Sequence, residues 1–99
     1  MADIPNPYQL PGALFPTGQL MITPNALQVV GMEQAAVALA RHIRGDWGDV
    51  DAHDRKANED ALRDGTRLFS VYRSPDTGKF WIITEWDRSL TTILLPEDY

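Results

Sequence analysis

The chain has 99 residues and no cysteine, which excludes disulfides, thiolate zinc sites and cysteine nucleophiles. Hydrophobic residues make up 43% of it, which is typical of one folded domain and argues against disorder. The formal net charge of −5 argues against direct nucleic-acid binding, since such binding depends on lysine and arginine contacts to phosphate. The sequence has neither a long apolar run nor a signal-peptide pattern, so it predicts a cytoplasmic protein with no membrane partner.

The first 17 residues are predicted to form an extended arm. They contain four prolines, Pro5, Pro7, Pro11 and Pro16. Proline lacks an amide donor and disfavours both helices and central strands. Apolar residues lie between the prolines, so the arm is either a flexible terminus or a segment that packs on the domain or on a second copy. We therefore expect an arm over 1–17, a single domain over 18–99, and a homodimer through the arm as one form of partnership.

Three helices are predicted in the first half of the domain. The helix over 24–30 begins with Thr-Pro and is closed by a glycine. The helix over 32–44 has a continuous apolar face and is predicted to be the buried one. The helix over 51–64 begins at Asp51 as N-cap and is rich in charge, so it should be mostly solvated.

The second half of the domain is predicted to be strand. Apolar and β-branched runs over 67–73, 79–86 and 90–95 are separated by short turns, which predicts a three-stranded antiparallel meander. A short apolar run over 18–22 is a candidate for an extra strand. Helices followed by strands indicate an α+β fold, with the helices packed on one face of the sheet.

Several motifs give the chain a family resemblance. They are HIRGDWGD at 42–49, LRDG at 62–65, RLFS at 67–70, WIITE at 81–85, DRS at 87–89, TT at 91–92 and LLPEDY at 94–99. Together they resemble a family of small uncharacterised bacterial proteins encoded on plasmids and integrative elements, often described only as plasmid-related. The resemblance covers about residues 18–99 and leaves out the proline-rich arm. It implies a mobile-element or phage setting and carries no activity or catalytic residue.

The segment that contains both histidines is rich in possible metal ligands. Its nitrogen and oxygen donors are His42, Asp46, Asp49, Asp51, His53 and Asp54. Their spacing matches neither H-E-x-x-H nor the calcium loop, and helix caps and solvated acids explain them equally well. The sequence therefore predicts no metal and no cofactor.

A small ribonuclease is the alternative function. The predicted order, with helices before an antiparallel sheet, is also that of small RNase toxins of the barnase, EndoU, colicin and RelE type. The alternative catalytic residues would be His42 or His53 as acid or base, Glu85 as base, and Arg73 and Arg88 for phosphate charge. The acidic charge and the position of both histidines in an acidic segment argue against it, and Arg73 and Glu85 could simply be cross-strand partners.

The favoured interpretation is a binding surface. Residues 46–64, hereafter the acidic segment, carry seven acids and three bases. The predicted partner-binding residues are Asp46, Trp47, Asp49, Asp51, Asp54, Glu59 and Asp60. Trp81 and Trp86 are five residues apart, so one of them should lie on an uncovered face. We therefore expect a non-catalytic protein-binding module from a mobile element or phage, which inhibits or modulates a host defence or nucleic-acid-processing complex by contacting its basic groove.

Overall fold

The computed structural model describes residues 12–76 and 78–99, so most of the predicted arm and Thr77 lie outside the described residues. The helices are α1 (Pro24–Val29), α2 (Met32–His42) and α3 (Ala52–Asp64). The strands are β1 (Gln19–Ile22), β2 (Leu68–Ser74), β3 (Gly78–Thr84) and β4 (Leu90–Leu94), and a 3-10 helix follows at Pro96–Asp98. The α+β class is confirmed, and each element ends within two residues of its predicted bounds.

The sheet has four strands in the order β1-β4-β3-β2. The antiparallel pairs β2–β3 and β3–β4 form the predicted meander. The candidate strand at 18–22 is real and pairs with β4 in parallel, with Gln19 opposite Leu90 and Ile22 opposite Ile93. The prediction of a three-stranded antiparallel sheet was therefore only partly right, because the sheet has a fourth strand that pairs in parallel. A parallel neighbour requires a long crossover, which the helices and the meander provide between β1 and β4.

The two faces of the sheet differ in their covering. Tyr72, Phe80, Ile82 and Ile93 lie on the side that α1 and α2 cover, where they pack with three small residues of the helices. Those residues are Ala26, Ala35 and Ala38, whose size lets the helices approach the sheet closely. The opposite side carries Phe69, Trp81 and Ile83. The prediction that all three helices pack on one face was wrong for α3, which borders the outer edge of β2 instead.

Two segments close the outer edge of β2. The side-chain amide of Asn58, on α3, donates from Nδ2 to the carbonyl of Phe69 at 2.7 Å and accepts from the Phe69 amide at 3.0 Å. Two residues further on, the Val71 amide donates to the Trp47 carbonyl at 3.1 Å, and the Val71 carbonyl accepts from the Asp49 amide at 2.7 Å. These contacts occupy backbone groups that an unprotected edge strand would offer to another chain.

We expect Asn58→Ala to lower the free energy of unfolding by about 2–3 kcal/mol, because both backbone groups of Phe69 lose a partner that is nearly buried. Asn25→Ala is the matched control, since Asn25 also donates from Nδ2, but at the exposed surface, to Asp98 at 2.8 Å. The control should cost no more than about 1 kcal/mol. Urea unfolding followed by tryptophan fluorescence measures both. Equal losses for the two variants would show that Asn58 does not protect the strand edge.

Candidate functional site

The first two predicted binding acids have arginine partners within the chain. Asp46 accepts from Arg41 Nε at 2.8 Å and from a second guanidinium nitrogen at 3.2 Å, and Asp49 accepts from Arg73 Nε at 2.6 Å. The Arg41 hydrogen bond is the main cause of a lowered Asp46 pKa. Both pairs are solvent-exposed, so each contributes little to stability. Their charges are already neutralised locally, which weakens their case as partner contacts.

The acids of α3 are also largely used within the helix. Asp51 is the N-cap, and its side chain accepts from the Asp54 amide at 2.8 Å. Asp60 pairs with Lys56 at 3.1 Å and with Arg63 at 2.8 Å. The Lys56 hydrogen bond is the largest cause of the lowered Asp60 pKa, and the charge of Arg63 acts in the same direction. Capping and helix pairs therefore account for two of the predicted binding residues.

Trp47 lies in the core and is 1% exposed. Its ring stacks on Phe15 and meets the edge of His42, and its indole nitrogen donates to Glu59 Oε2 at 2.9 Å. Trp47 is therefore not available to a partner in this structure. Glu59 is exposed, but its carboxylate accepts the hydrogen bond of the buried Trp47 indole, so a structural role is sufficient to explain this acid.

An open groove lies on the sheet side that α1 and α2 leave uncovered, and we call it the aromatic groove. Its cavity volume is about 390 Å³. Phe69, Trp81 and Ile83 form the floor, α3 contributes Asp54, Ala57 and Asn58 on one side, and Arg67 and Tyr99 complete the lining. Asp54 is the one predicted binding residue that lines it. The sequence predicted that either Trp81 or Trp86 would lie on an uncovered face, but nothing in it indicated that Tyr99 would join Trp81 there.

The aromatic residues of the groove hold one another in edge-to-face contacts. Trp81 meets Phe69 at a centroid distance of 5.1 Å and Tyr99 at 5.9 Å. Arg67 donates to the Tyr99 hydroxyl at 2.8 Å, and its guanidinium lies 5.6 Å from the centre of the same ring. Tyr99 is nevertheless 71% exposed, so its ring is accessible at the rim. Trp86, by contrast, lies after the end of β3 in the connection to β4, where it is exposed.

The residues named for RNA cleavage do not share an accessible site in the part of the chain that the structure describes. His42 has no solvent exposure, and Arg73 is paired with Asp49. Arg88 donates to backbone carbonyls, including those of Thr66 at 2.6 Å and Ala61 at 2.9 Å. Arg73 lies opposite Lys79 in the sheet register, so Glu85 is not its cross-strand partner.

His42 belongs to a chain of buried hydrogen bonds that determines its tautomer. Thr91 donates its hydroxyl hydrogen to the Thr17 carbonyl at 2.7 Å, so it must accept from Thr84, 2.8 Å away. Thr84 then accepts from His42 Nε2 at 2.9 Å, so in the neutral ring Nδ1 accepts from Ser70 at 2.6 Å. The neutral imidazole therefore carries its proton on Nε2. Burial, assisted by the charge of Arg88, lowers the His42 pKa to about 3, which makes it unsuited to acid–base chemistry near neutral pH.

Within residues 12–76 and 78–99, the structure brings together no group of three or more histidines or acids that could hold a metal ion. In the same part of the chain, no helix combines the length and apolar character needed to cross a membrane. A scan against protein-family models, a search of curated proteins and a search of solved structures each return no match to the chain.

Proposed function

We propose that the protein is a non-catalytic protein-binding module from a mobile element or phage, and that its partner docks on the aromatic groove. The observation that carries the proposal is an open groove with three aromatic side chains beside a charged helix. Aromatic residues supply much of the binding energy at protein interfaces, because they bury a large area at a small entropic cost. An exposed apolar groove with a polar rim commonly marks an interaction site on a protein surface.

The charge next to the groove defines the chemistry of the partner. Asp54 lines the groove, and Asp51 lies at the N-cap of the same helix, three residues before it. A basic protein surface would therefore be attracted to this side, while one of its apolar side chains packs on Trp81 beside Tyr99 at the rim of the groove. A basic groove that normally handles nucleic acid fits this description. The module would then act as an inhibitor or modulator of a host defence or nucleic-acid-processing complex.

We expect Tyr99→Ala and Asp54→Asn each to weaken partner binding at least about tenfold, which is the effect of losing about 1.4 kcal/mol. Tyr99 is exposed and Asp54 is partly exposed, so neither substitution should prevent folding. The tagged protein would be used to capture a partner from its native host, and binding to the purified partner would then be titrated. Trp86→Ala is the control, because it removes an equally exposed aromatic ring outside the groove.

Two results would overturn the proposal. One is a captured partner that binds wild type, Tyr99→Ala and Asp54→Asn equally, because the contact would then lie elsewhere. The other is cleavage of total bacterial RNA by the purified protein that is lost in Glu85→Gln, because the ribonuclease would then be the correct function. Circular dichroism of every variant separates loss of binding from loss of fold.

A further inference from the structure

The two edge strands of the sheet, β2 and β1, differ in how their outer backbone groups are covered. Asn58 and the segment around Gly48 cover β2, as described above, whereas β1 is the other edge strand. The Gln19 amide donates to the Ser89 carbonyl and the Thr23 amide to the Ile93 carbonyl, both at 3.0 Å. Alternate residues of a strand point their backbone groups in the same direction, so Leu20 and Ile22 direct theirs away from β4. Two amides and two carbonyls are thus aimed outward from β1.

The surface beside this edge is apolar. A shallow cavity of about 170 Å³ runs between β1 and α2, lined among others by Leu20, Ile22, Met32 and Ala36. Leu20 and Met21 on β1 and Met32 on α2 are each more than 40% exposed. An exposed apolar edge strand is a template for pairing with another strand, and natural proteins usually protect it with charge or proline. No charged residue lies on β1, and Pro24 follows only after the strand has ended.

The distribution of charge favours a second copy of this chain as the occupant. Residues 12–40 contain a single charged residue, Glu33, although the protein carries 23 charged side chains of Lys, Arg, Asp and Glu. The acidic segment lies at the opposite edge of the sheet, next to β2. If two copies pair through β1, seven strand spacings of about 4.8 Å separate their β2 strands, which is about 34 Å. That distance is several times the Debye length of about 8 Å, so the two acidic segments would not repel each other strongly.

We propose that two copies of this chain associate through antiparallel pairing of their β1 strands, about a twofold axis that passes by Met21. In this register Leu20 lies opposite Ile22 of the partner subunit, and the outward amides and carbonyls of both strands form four hydrogen bonds. Met21 lies opposite its own copy as a non-hydrogen-bonded pair. The edge is self-complementary because Leu20 and Ile22, whose backbone groups face outward, are two residues apart, which is the spacing of hydrogen-bonded pairs in an antiparallel ladder. The contact is therefore the same on both subunits and gives a closed, symmetric dimer. The resulting eight-stranded sheet leaves both aromatic grooves uncovered by this contact, so the proposal is independent of the proposed function.

Disulfide trapping tests this register directly, because the protein has no native cysteine. Non-hydrogen-bonded antiparallel pairs place their Cβ atoms about 4.5–5.5 Å apart, a spacing that lets cysteines bridge after a small adjustment. We expect Met21→Cys to form a covalent dimer under mild oxidation, at least tenfold faster than Trp86→Cys, which carries an exposed cysteine in the β3–β4 connection. Equal rates for the two variants would overturn the proposal.

Sedimentation equilibrium over a range of concentrations tests the dimer without cross-linking. We expect wild type to approach twice the monomer mass of 11.1 kDa as its concentration rises, whereas Leu20→Lys, which places a charge at the edge, stays monomeric. Trp86→Lys adds the same charge elsewhere and should dimerise like wild type. A wild-type protein that remains monomeric at millimolar concentration, or a Leu20→Lys variant that dimerises as well as wild type, would refute pairing through β1.

Discussion

Replacing Gly48 with alanine is expected to lower the free energy of unfolding by about 3 kcal/mol or more. Gly48 has φ 73°, in the left-handed region that glycine adopts readily and alanine does not. A Cβ at this position would also overlap the carbonyl oxygen of Val71. That oxygen cannot move away without losing its 2.7 Å hydrogen bond from the Asp49 amide. Alanine therefore forces the segment around Gly48 away from the edge of β2. The protein then loses the hydrogen bonds of this segment to Val71, in addition to the free energy of the left-handed backbone strain.

Gly65→Ala separates the two causes. Gly65 caps α3 at φ 71°, almost the same backbone conformation, but a Cβ there would meet no other atom within 4 Å. It should cost only the left-handed penalty, about 1 kcal/mol. Urea unfolding of both variants gives the difference. A Gly48→Ala loss that matches that of Gly65→Ala would mean that the strand edge tolerates a side chain and that the close approach is unimportant.

The local signals in the sequence were sufficient to predict the elements, but not all of their partners. Thr23 and Pro24 marked the start of α1, and Asp51 marked the start of α3, because caps act within a few residues. The parallel pairing of β1 with β4 joins residues about 70 positions apart, and no turn links them. A hairpin can be predicted from its turn, whereas a crossover pairing depends on how the helices pack.

The acidic segment shows where the prediction of site residues reached its limit. Composition identified where the charge is concentrated, but could not show that Arg41 and Arg73 neutralise Asp46 and Asp49 from other elements. Nor could it show that Trp47 is held in the core by Glu59, twelve residues away. Such contacts depend on tertiary structure, and a charged or aromatic residue looks the same in sequence whether it is paired or free.

The aromatic groove was only partly predictable for a similar reason. Side chains alternate along β3, so Trp81 and Phe80 lie on opposite faces of the sheet, and this alternation can be predicted from the sequence. Tyr99 is held beside Trp81 in part by Asp98, which accepts from Thr23 at 2.6 Å and from Asn25 at 2.8 Å and so fixes the 3-10 helix. A rim formed by the last residue therefore depends on hydrogen bonds to the first helix, which no local pattern signals.

The stability of the protein is expected to fall as the pH decreases from 7.5 to 5, with His42 as the main cause. Burial lowers its pKa from 6.5 to about 3, so the unfolded chain takes up a proton in this interval and the folded chain does not. The stabilisation from neutral His42 is present above pH 6.5 and is lost as the pH falls towards 3. The expected loss is about 2 kcal/mol at pH 5, with a slope of up to about 1.4 kcal/mol per pH unit. Carboxylates with lowered pKa values, such as those of Asp46 and Asp98, act at more acidic pH and leave this interval to histidine.

One histidine variant and one spectrum test this assignment. His42→Gln should be less stable than wild type at pH 7.5, and its stability should be nearly independent of pH down to 5. The wild-type imidazole of His42 should not titrate between pH 8 and 5 in nuclear magnetic resonance spectra. Its nitrogen shifts should report a proton on Nε2, as the hydrogen bonds from Ser70 to Thr17 require. A His42 resonance that titrates near pH 6.5 would mean that the ring is accessible to water, and an acid–base role for it would have to be reconsidered.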